Sequence, residues 1–175
     1  MTIPATIEIR PERPSDHATI YDLVKTAFLT AKVSNGKEQD FVDELRAAPH
    51  RYLPDLALVA VEDATIVGHV MLTRMPIATA TGDRETLLVA PLAVVLDRRS
   101  RRIGSQLLRA ALDRGRAAGF ESVVLVGDPA YYGRFGFRPS TDFGVVNTNG
   151  IPAEYVMALE LQPGALAGID GRIGF

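Results

Sequence analysis

The sequence predicts a mixed α/β domain, α+β-like in its order of elements. Three observations carry this. An apolar stretch at 86–95 is followed by an amphipathic helical pattern at 102–118 and a short apolar run at 122–126, the signature of a strand–helix–strand crossover. Two strand-like runs, 56–62 and 66–74, are separated only by Asp63-Ala64, which suits an antiparallel hairpin. Two amphipathic helical segments precede that hairpin.

Taken in order, Ile7-Glu8-Ile9-Arg10 alternates like a short strand. Ser15, preceded by Pro14, offers an N-cap, and Ile20, Leu23, Val24 and Ala27 recur at helical spacing, so a helix is expected over about 15–29. Asn35-Gly36 marks a turn, and Phe41, Val42 and Leu45 form a second short helix before Pro49. After the hairpin, 76–83 reads as a loop with a strand extension. The run 86–95 fits a buried central strand. In the helix 102–118, Ile103, Leu107 and Ala111 make one row, Leu108 and Leu112 the next, and Gly119 supplies the C-cap glycine. Asp128-Pro129 opens another short helix, with Asp as N-cap and Pro at the first position. A strand at 154–161 closes the domain, leaving a tail at 162–175 that holds four glycines. The unit 86–126 is expected to be a right-handed parallel crossover.

Length and composition bound the function. The 175 residues suggest one domain spanning 1–175, with 47% hydrophobic and 23% charged residues. A mean hydropathy of +0.09 excludes disorder throughout the chain. No apolar run is long enough to cross a bilayer, and Met1-Thr2-Ile3-Pro4 lacks the blocks of a signal peptide, so a cytoplasmic location and no membrane partner are expected. Without cysteine there is no disulfide, thiolate nucleophile or Cys-ligated zinc. His17, His50 and His69 show no metal-ligand spacing, so no metal is expected. There is neither a Gly-x-Ser-x-Gly elbow nor a Walker sequence. With 19 basic against 21 acidic residues and a net charge of −2, a nucleic-acid partner is disfavoured.

The basic charge is nonetheless uneven: Arg98, Arg99, Arg101 and Arg102 fall within five positions, between a strand and a helix start. A helix start presents unpaired N–H groups and the positive end of the macrodipole, which together bind phosphate. Gly104 and Ser105 keep the first turn small enough for a pyrophosphate to approach. Taken as a bare charge run, the cluster reads first as a solvated surface; its place at a strand-to-helix junction raises the ligand reading.

This segment resembles the acetyl-CoA-binding motif of the GNAT superfamily of N-acetyltransferases, Gln/Arg-x-x-Gly-x-Gly/Ala after a strand. Arg99, Ile103 and Gly104 match in register, and Leu92-Ala93-Val94 match the family's strand. Arg102 stands where the family has its first glycine, and Leu96 replaces a common proline. A helix-start residue is expected at negative φ, which would permit the arginine. A second segment, Gly127-Asp128-Pro129-Ala130-Tyr131-Tyr132-Gly133-Arg134-Phe135-Gly136-Phe137, resembles the family's closing Tyr-x-x-x-Gly-Phe. Its wording, with Pro163-Gly164-Ala165-Leu166 and Gly171, is similar to a bacterial branch of predicted GNAT acetyltransferases.

The resemblance implies a central mixed sheet with two splayed parallel strands flanked by helices, and acetyl-CoA as acetyl donor. Backbone near Leu92, Ala93 and Val94 would pair with pantetheine, and Arg99, Ser100, Arg101, Arg102, Ile103, Gly104 and Ser105 would hold the pyrophosphate. Tyr132 would be the general acid that protonates the leaving thiolate; a shift of one residue would exchange it with Tyr131. Without the resemblance, Tyr132 reads as a packed aromatic. Glu38, Glu85 and His69 are each conceivable as the base, though each has a structural reading: a solvated helix charge, a strand-end charge and a half-buried strand residue. Asp128 is better explained as an N-cap. The acceptor, a small-molecule or peptide amine, would meet residues around 28–40, 76–85 and the C-terminal segment; Glu38 and Asp40 suit a cationic one. A homodimer is common in the family. The competing reading is a non-catalytic acyl-CoA-binding or sensing module on the same fold.

Overall fold

Side-chain alternation decides where the strands run and which face each residue takes. The computed structural model describes residues 5–175; the sequence reading of residues 1–4 lies outside them. The molecule is mixed α/β, with a mixed sheet of mostly antiparallel strands flanked by helices. The chain forms two compact units, Met1–Thr73 with Ala90–Arg114, and Arg74–Val89 with Gly115–Phe175.

In the first unit, β1 (Ile7–Pro11) pairs antiparallel with β2 (Ala57–Glu62), and β2 pairs antiparallel with β3 (Thr65–Thr79). Asp63 and Ala64 join the last two with φ of 46° and 63°. A two-residue hairpin turn needs positive φ at both positions, so the turn forms without the usual Asn-Gly. The register sets Ala57 opposite Met71 and Val59 opposite His69. That face meets α1 (His17–Ala27) and α2 (Glu38–Arg46), whose Ile20, Leu23, Val24, Ala27, Val42 and Leu45 are buried with Met71. Gly68, one position away and therefore on the other face, backs onto the last helix of the unit, α3 (Ile103–Ala117). A Cβ there would lie 2.7 Å from Leu107 Cδ1 and 3.3 Å from Ile103 Cγ2.

Ser15 does not cap α1. It lies inside a 3-10 turn, Pro14–Asp16, and α1 begins at His17. The fixed φ of Pro14 starts the turn early, and Asp16 turns back to accept from the Arg13 N–H (2.8 Å) and the Arg10 guanidinium (2.8 Å). Of the loop with a strand extension expected at 76–83, the strand extension is present and the loop is only a turn at Ala80 and Thr81. β3 continues to Thr79 and β4 runs Gly82–Val94. Met75 and Ile77 are buried while Pro76 and Ala78 are exposed, so the period of two persists where proline suggested a break.

In the second unit, β5 (Ser122–Val126) lies parallel to β4 through Leu87↔Val123 and Leu88↔Val124, as a crossover through α3 requires. After β5 come α4 (Pro129–Tyr132), β6 (Arg138–Pro139), β7 (Val145–Asn147), β8 (Val156–Glu160) and β9 (Gly171–Ile173). β8 pairs antiparallel with β5 and β6. The C-terminal segment folds into the sheet: β9 pairs parallel with β7 and antiparallel with the end of β3. Glu160 holds its start, accepting from the N–H groups of Gly164 (3.1 Å) and Leu166 (2.8 Å).

Candidate active site

The turn between β4 and α3 belongs to the first unit. Leu92 and Val94 are half-buried and Ala93 is buried. The Val95 N–H donates to the Val67 carbonyl (2.9 Å), which ties the end of β4 to β3. A single 3-10 turn, Leu96–Arg98, follows, and then the backbone reverses twice: Ser100 has φ +64° and Arg102 φ +63°. The expectation of negative φ at Arg102 is therefore incorrect. The helix begins one residue later, at Ile103, so Arg102 is the last residue of the turn rather than the first of the helix. Its left-handed conformation costs a non-glycine residue about 1–2 kcal/mol.

The first helical hydrogen bond runs from the Gln106 N–H to the Arg102 carbonyl (3.0 Å). The N–H groups of Ile103, Gly104 and Ser105 thus precede it and lack intrahelical acceptors. Ile103 is buried and anchors the helix, while Gly104 and Ser105 are partly exposed. Donors without acceptors, small side chains and the positive end of a 15-residue helix fit a pyrophosphate.

The four arginines differ in their commitments. Arg98 donates through Nε to Glu62 Oε2 (2.5 Å) and also meets Asp97 (2.8 Å), while Arg101 reaches Glu62 Oε1 (3.0 Å). The Glu62 side chain is 5% exposed, and Arg98 and Arg101 hold its carboxyl below the usual carboxylate range. Arg99 is spent on the end of α1, donating to Thr30 Oγ1 (2.6 Å) and the Ala27 carbonyl (2.7 Å). Arg102 is exposed and has no charged or hydrogen-bonding partner among the described residues. Sequence reasoning missed Glu62; its one sequence signal is an acid ending an otherwise apolar strand.

Tyr132 belongs to the second unit. Asp128 caps α4 as expected, its Oδ1 accepting from the Ala130 N–H (3.0 Å). The Tyr132 ring lies directly over Gly127, where any Cβ would collide with it, and meets Phe137 edge-on at 5.9 Å. Its hydroxyl has no hydrogen-bond partner among the described residues. Burial pushes the phenol well above its ordinary value, with the neighbouring Tyr131 and the Asp128 carboxylate adding to the shift, so Tyr132 keeps its proton. Tyr131 stacks instead under the Arg134 guanidinium, 4.6 Å from the ring centre, and beside Phe135.

The conceivable bases fare unequally. Glu38 accepts from the Asn35 N–H (2.9 Å) at the start of α2. Glu85 is exposed beside Arg74 (3.4 Å). His69 is wholly buried rather than half-buried, with Nε2 2.8 Å from Glu12 Oε2. Asp40 is occupied by the Tyr21 hydroxyl (2.7 Å).

Glu12 had no sequence signal. Its buried carboxylate also accepts from Arg46 Nε (2.8 Å), Arg46 Nη2 (3.1 Å) and the Tyr52 hydroxyl (2.8 Å), joining the end of β1 to α2, β3 and the segment between α2 and β2. Burial opposes its ionisation, but the hydrogen bonds from His69, Arg46 and Tyr52 outweigh that and hold it far below the usual range.

Comparisons with known proteins converge. The family model described as an acetyltransferase (GNAT) domain matches residues 8–140. The uncharacterized N-acetyltransferase YjhQ of Escherichia coli K12 is 33% identical over 141 residues, covering 75% of this chain and 76% of that protein. The E. coli GNAT family N-acetyltransferase YhbS, solved in complex with CoA, superimposes with a TM-score of 0.85 at 27% identity, covering 100% of this chain and 92% of its own. A GNAT family acetyltransferase from Brucella melitensis, in complex with acetyl-CoA, gives 0.75 at 32% identity, covering 97% and 96%.

Proposed function

Because the chain belongs to the GNAT acetyltransferase family, we propose that it transfers the acetyl group of acetyl-CoA to a primary amine by direct attack in a ternary complex. The observation that carries this reading is the start of α3, where acceptor-free N–H groups stand beside Gly104 and Ser105 in an arginine-rich turn. The relatives solved with CoA and acetyl-CoA supply the ligand chemistry that such a turn fits.

In this reading the backbone of Leu92, Ala93 and Val94 aligns pantetheine as an added strand would, and an N–H there polarises the acetyl carbonyl. The turn from Arg99 to Ser105 holds the pyrophosphate through its backbone N–H groups. Arg99 contributes backbone, since its guanidinium already serves α1. The amine nitrogen bonds to the acetyl carbon and the C–S bond breaks. The sulfur takes the Tyr132 proton, and the proton shed by the new amide nitrogen restores the phenol. The acceptor is a small-molecule or peptide amine, the protein works as a homodimer, and the reaction calls on no metal.

The test is calorimetric titration with acetyl-CoA at two salt concentrations, with CoA and ATP as controls, followed by thiol release with a panel of amines. Saturable binding far tighter than that of ATP, with amine-dependent thiol release, is expected. Binding without transfer to any amine points instead to the acyl-CoA-sensing module, and no binding overturns both readings. Tyr132→Phe is expected to lower kcat by roughly 10²–10⁴ while acetyl-CoA affinity stays unchanged. Equal loss of both would make Tyr132 structural.

A further inference from the structure

Arg102 breaks a local rule with no compensating contact among the described residues. Its φ of +63° is where glycine belongs. Its side chain is exposed and bonds to none of the described residues, whereas Arg98, Arg99 and Arg101 all have protein partners. Strained residues persist where surroundings or function require them, and no described residue engages this guanidinium.

We propose that Arg102 is a specificity-determining residue that reads the 3′-phosphate of coenzyme A. The inference rests on the coenzyme reading above and names a subsite within it. The charges divide as follows. Each pyrophosphate group carries a single charge and is served by the N–H groups and dipole at the start of α3. The 3′-phosphate is a monoester with about two negative charges and three acceptor oxygens. It is the coenzyme's densest anionic group, and a planar guanidinium meets such a group with two parallel hydrogen bonds. Arg98 and Arg101 would have to surrender Glu62, and Arg99 would have to release α1, before serving it. Arg102 surrenders nothing.

The test compares affinities for CoA and 3′-dephospho-CoA in wild type, Arg102→Gly and Arg102→Lys. Glycine adopts the observed φ without strain, so Arg102→Gly folds at least as stably as wild type, which a melting curve checks. Wild type is expected to prefer CoA about tenfold, as one exposed charge-assisted contact allows. Arg102→Gly is expected to lose that preference with its affinity for 3′-dephospho-CoA unchanged, and Arg102→Lys to keep part of it. Equal weakening of both ligands would move Arg102 to the pyrophosphate and overturn the assignment, as would an unaltered preference. A wild-type protein that binds neither ligand would refute the coenzyme reading itself.

Discussion

Replacing Glu12 by Gln keeps the shape of the most heavily bonded buried side chain in the first unit and removes its charge. Glu12 and His69 are fully buried and Arg46 is 10% exposed. A charge-assisted hydrogen bond contributes about 1.5–3 kcal/mol, but four bonds on one carboxylate are not additive. The better guide is the cost of removing one partner of a buried ion pair, about 3–5 kcal/mol. Two features favour the lower end. Arg46 keeps Asp43 at 2.7 Å, and a neutral imidazole can move its proton to Nδ1 and accept from the new amide. The expected loss is therefore about 3 kcal/mol, a large part of the 5–15 kcal/mol that stabilises a typical domain. Urea unfolding followed by circular dichroism measures it as a lower midpoint at unchanged slope. Arg46→Met in the Glu12→Gln background should recover part of the loss, because the stranded charge leaves with it. A loss below about 1 kcal/mol, or a double variant less stable than Glu12→Gln, would refute the claim that a buried ion pair holds these elements together.

Three further outcomes are expected. Gly68→Ala places a Cβ 2.7 Å from Leu107 Cδ1 and 3.2 Å from the Ala93 carbonyl oxygen; it should cost about 1–3 kcal/mol, and a stabilised variant in the same urea assay would contradict the packing described. Gly127→Ala drives its methyl into the Tyr132 ring; turnover is expected to fall with acetyl-CoA affinity retained, and unchanged turnover would mean that the position of the ring is irrelevant. Acid stability should fall in two stages. Burial pushes His69 below its ordinary 6.5, so the unfolded chain takes up that proton first and stability declines as pH drops below about 6.5. Glu12, depressed from 4.5, adds a second decline beneath that value. Midpoints measured from pH 8 to 3 check both stages, and Glu12→Gln should shrink the second to the share that the likewise depressed Asp16 and Glu62 contribute.

Elements whose signal is local were legible in the sequence. β5 is a five-residue apolar run at the predicted bounds, and the two rows of α3 gave its face. Asp128 with Pro129 specified the start of α4 on chemistry confined to three residues. The short strands β6, β7 and β9 escaped because two or three residues carry no period; β9 exists only by pairing with chain that is distant in sequence. Of the site, the helix start was readable to within one residue from residue type and spacing, whereas the role given to Tyr132 came from the resemblance alone. The conformation of Arg102 was not, since it depends on whether the helix begins at 102 or 103. Nor were the partners of charged groups: Glu62 lies 36 residues from Arg98, and Glu12 gathers bonds from 34, 40 and 57 residues away. No motif spans such separations, and burial of an acid has no signature until its cations are in place.

The two compact units are interleaved along the chain, which crosses from one to the other after Thr73, after Val89 and after Arg114. Neither unit is therefore a continuous stretch of polypeptide. No single cut in the gene frees either unit whole, so neither fragment should fold alone, and the two should be recovered as a complementing pair. Recombination between relatives meets the same obstacle: no single exchange point transfers one unit whole, and replacing one unit intact requires at least three junctions. Selection on such a chain acts on the whole of it, and change would arise by substitution within it more readily than by module exchange.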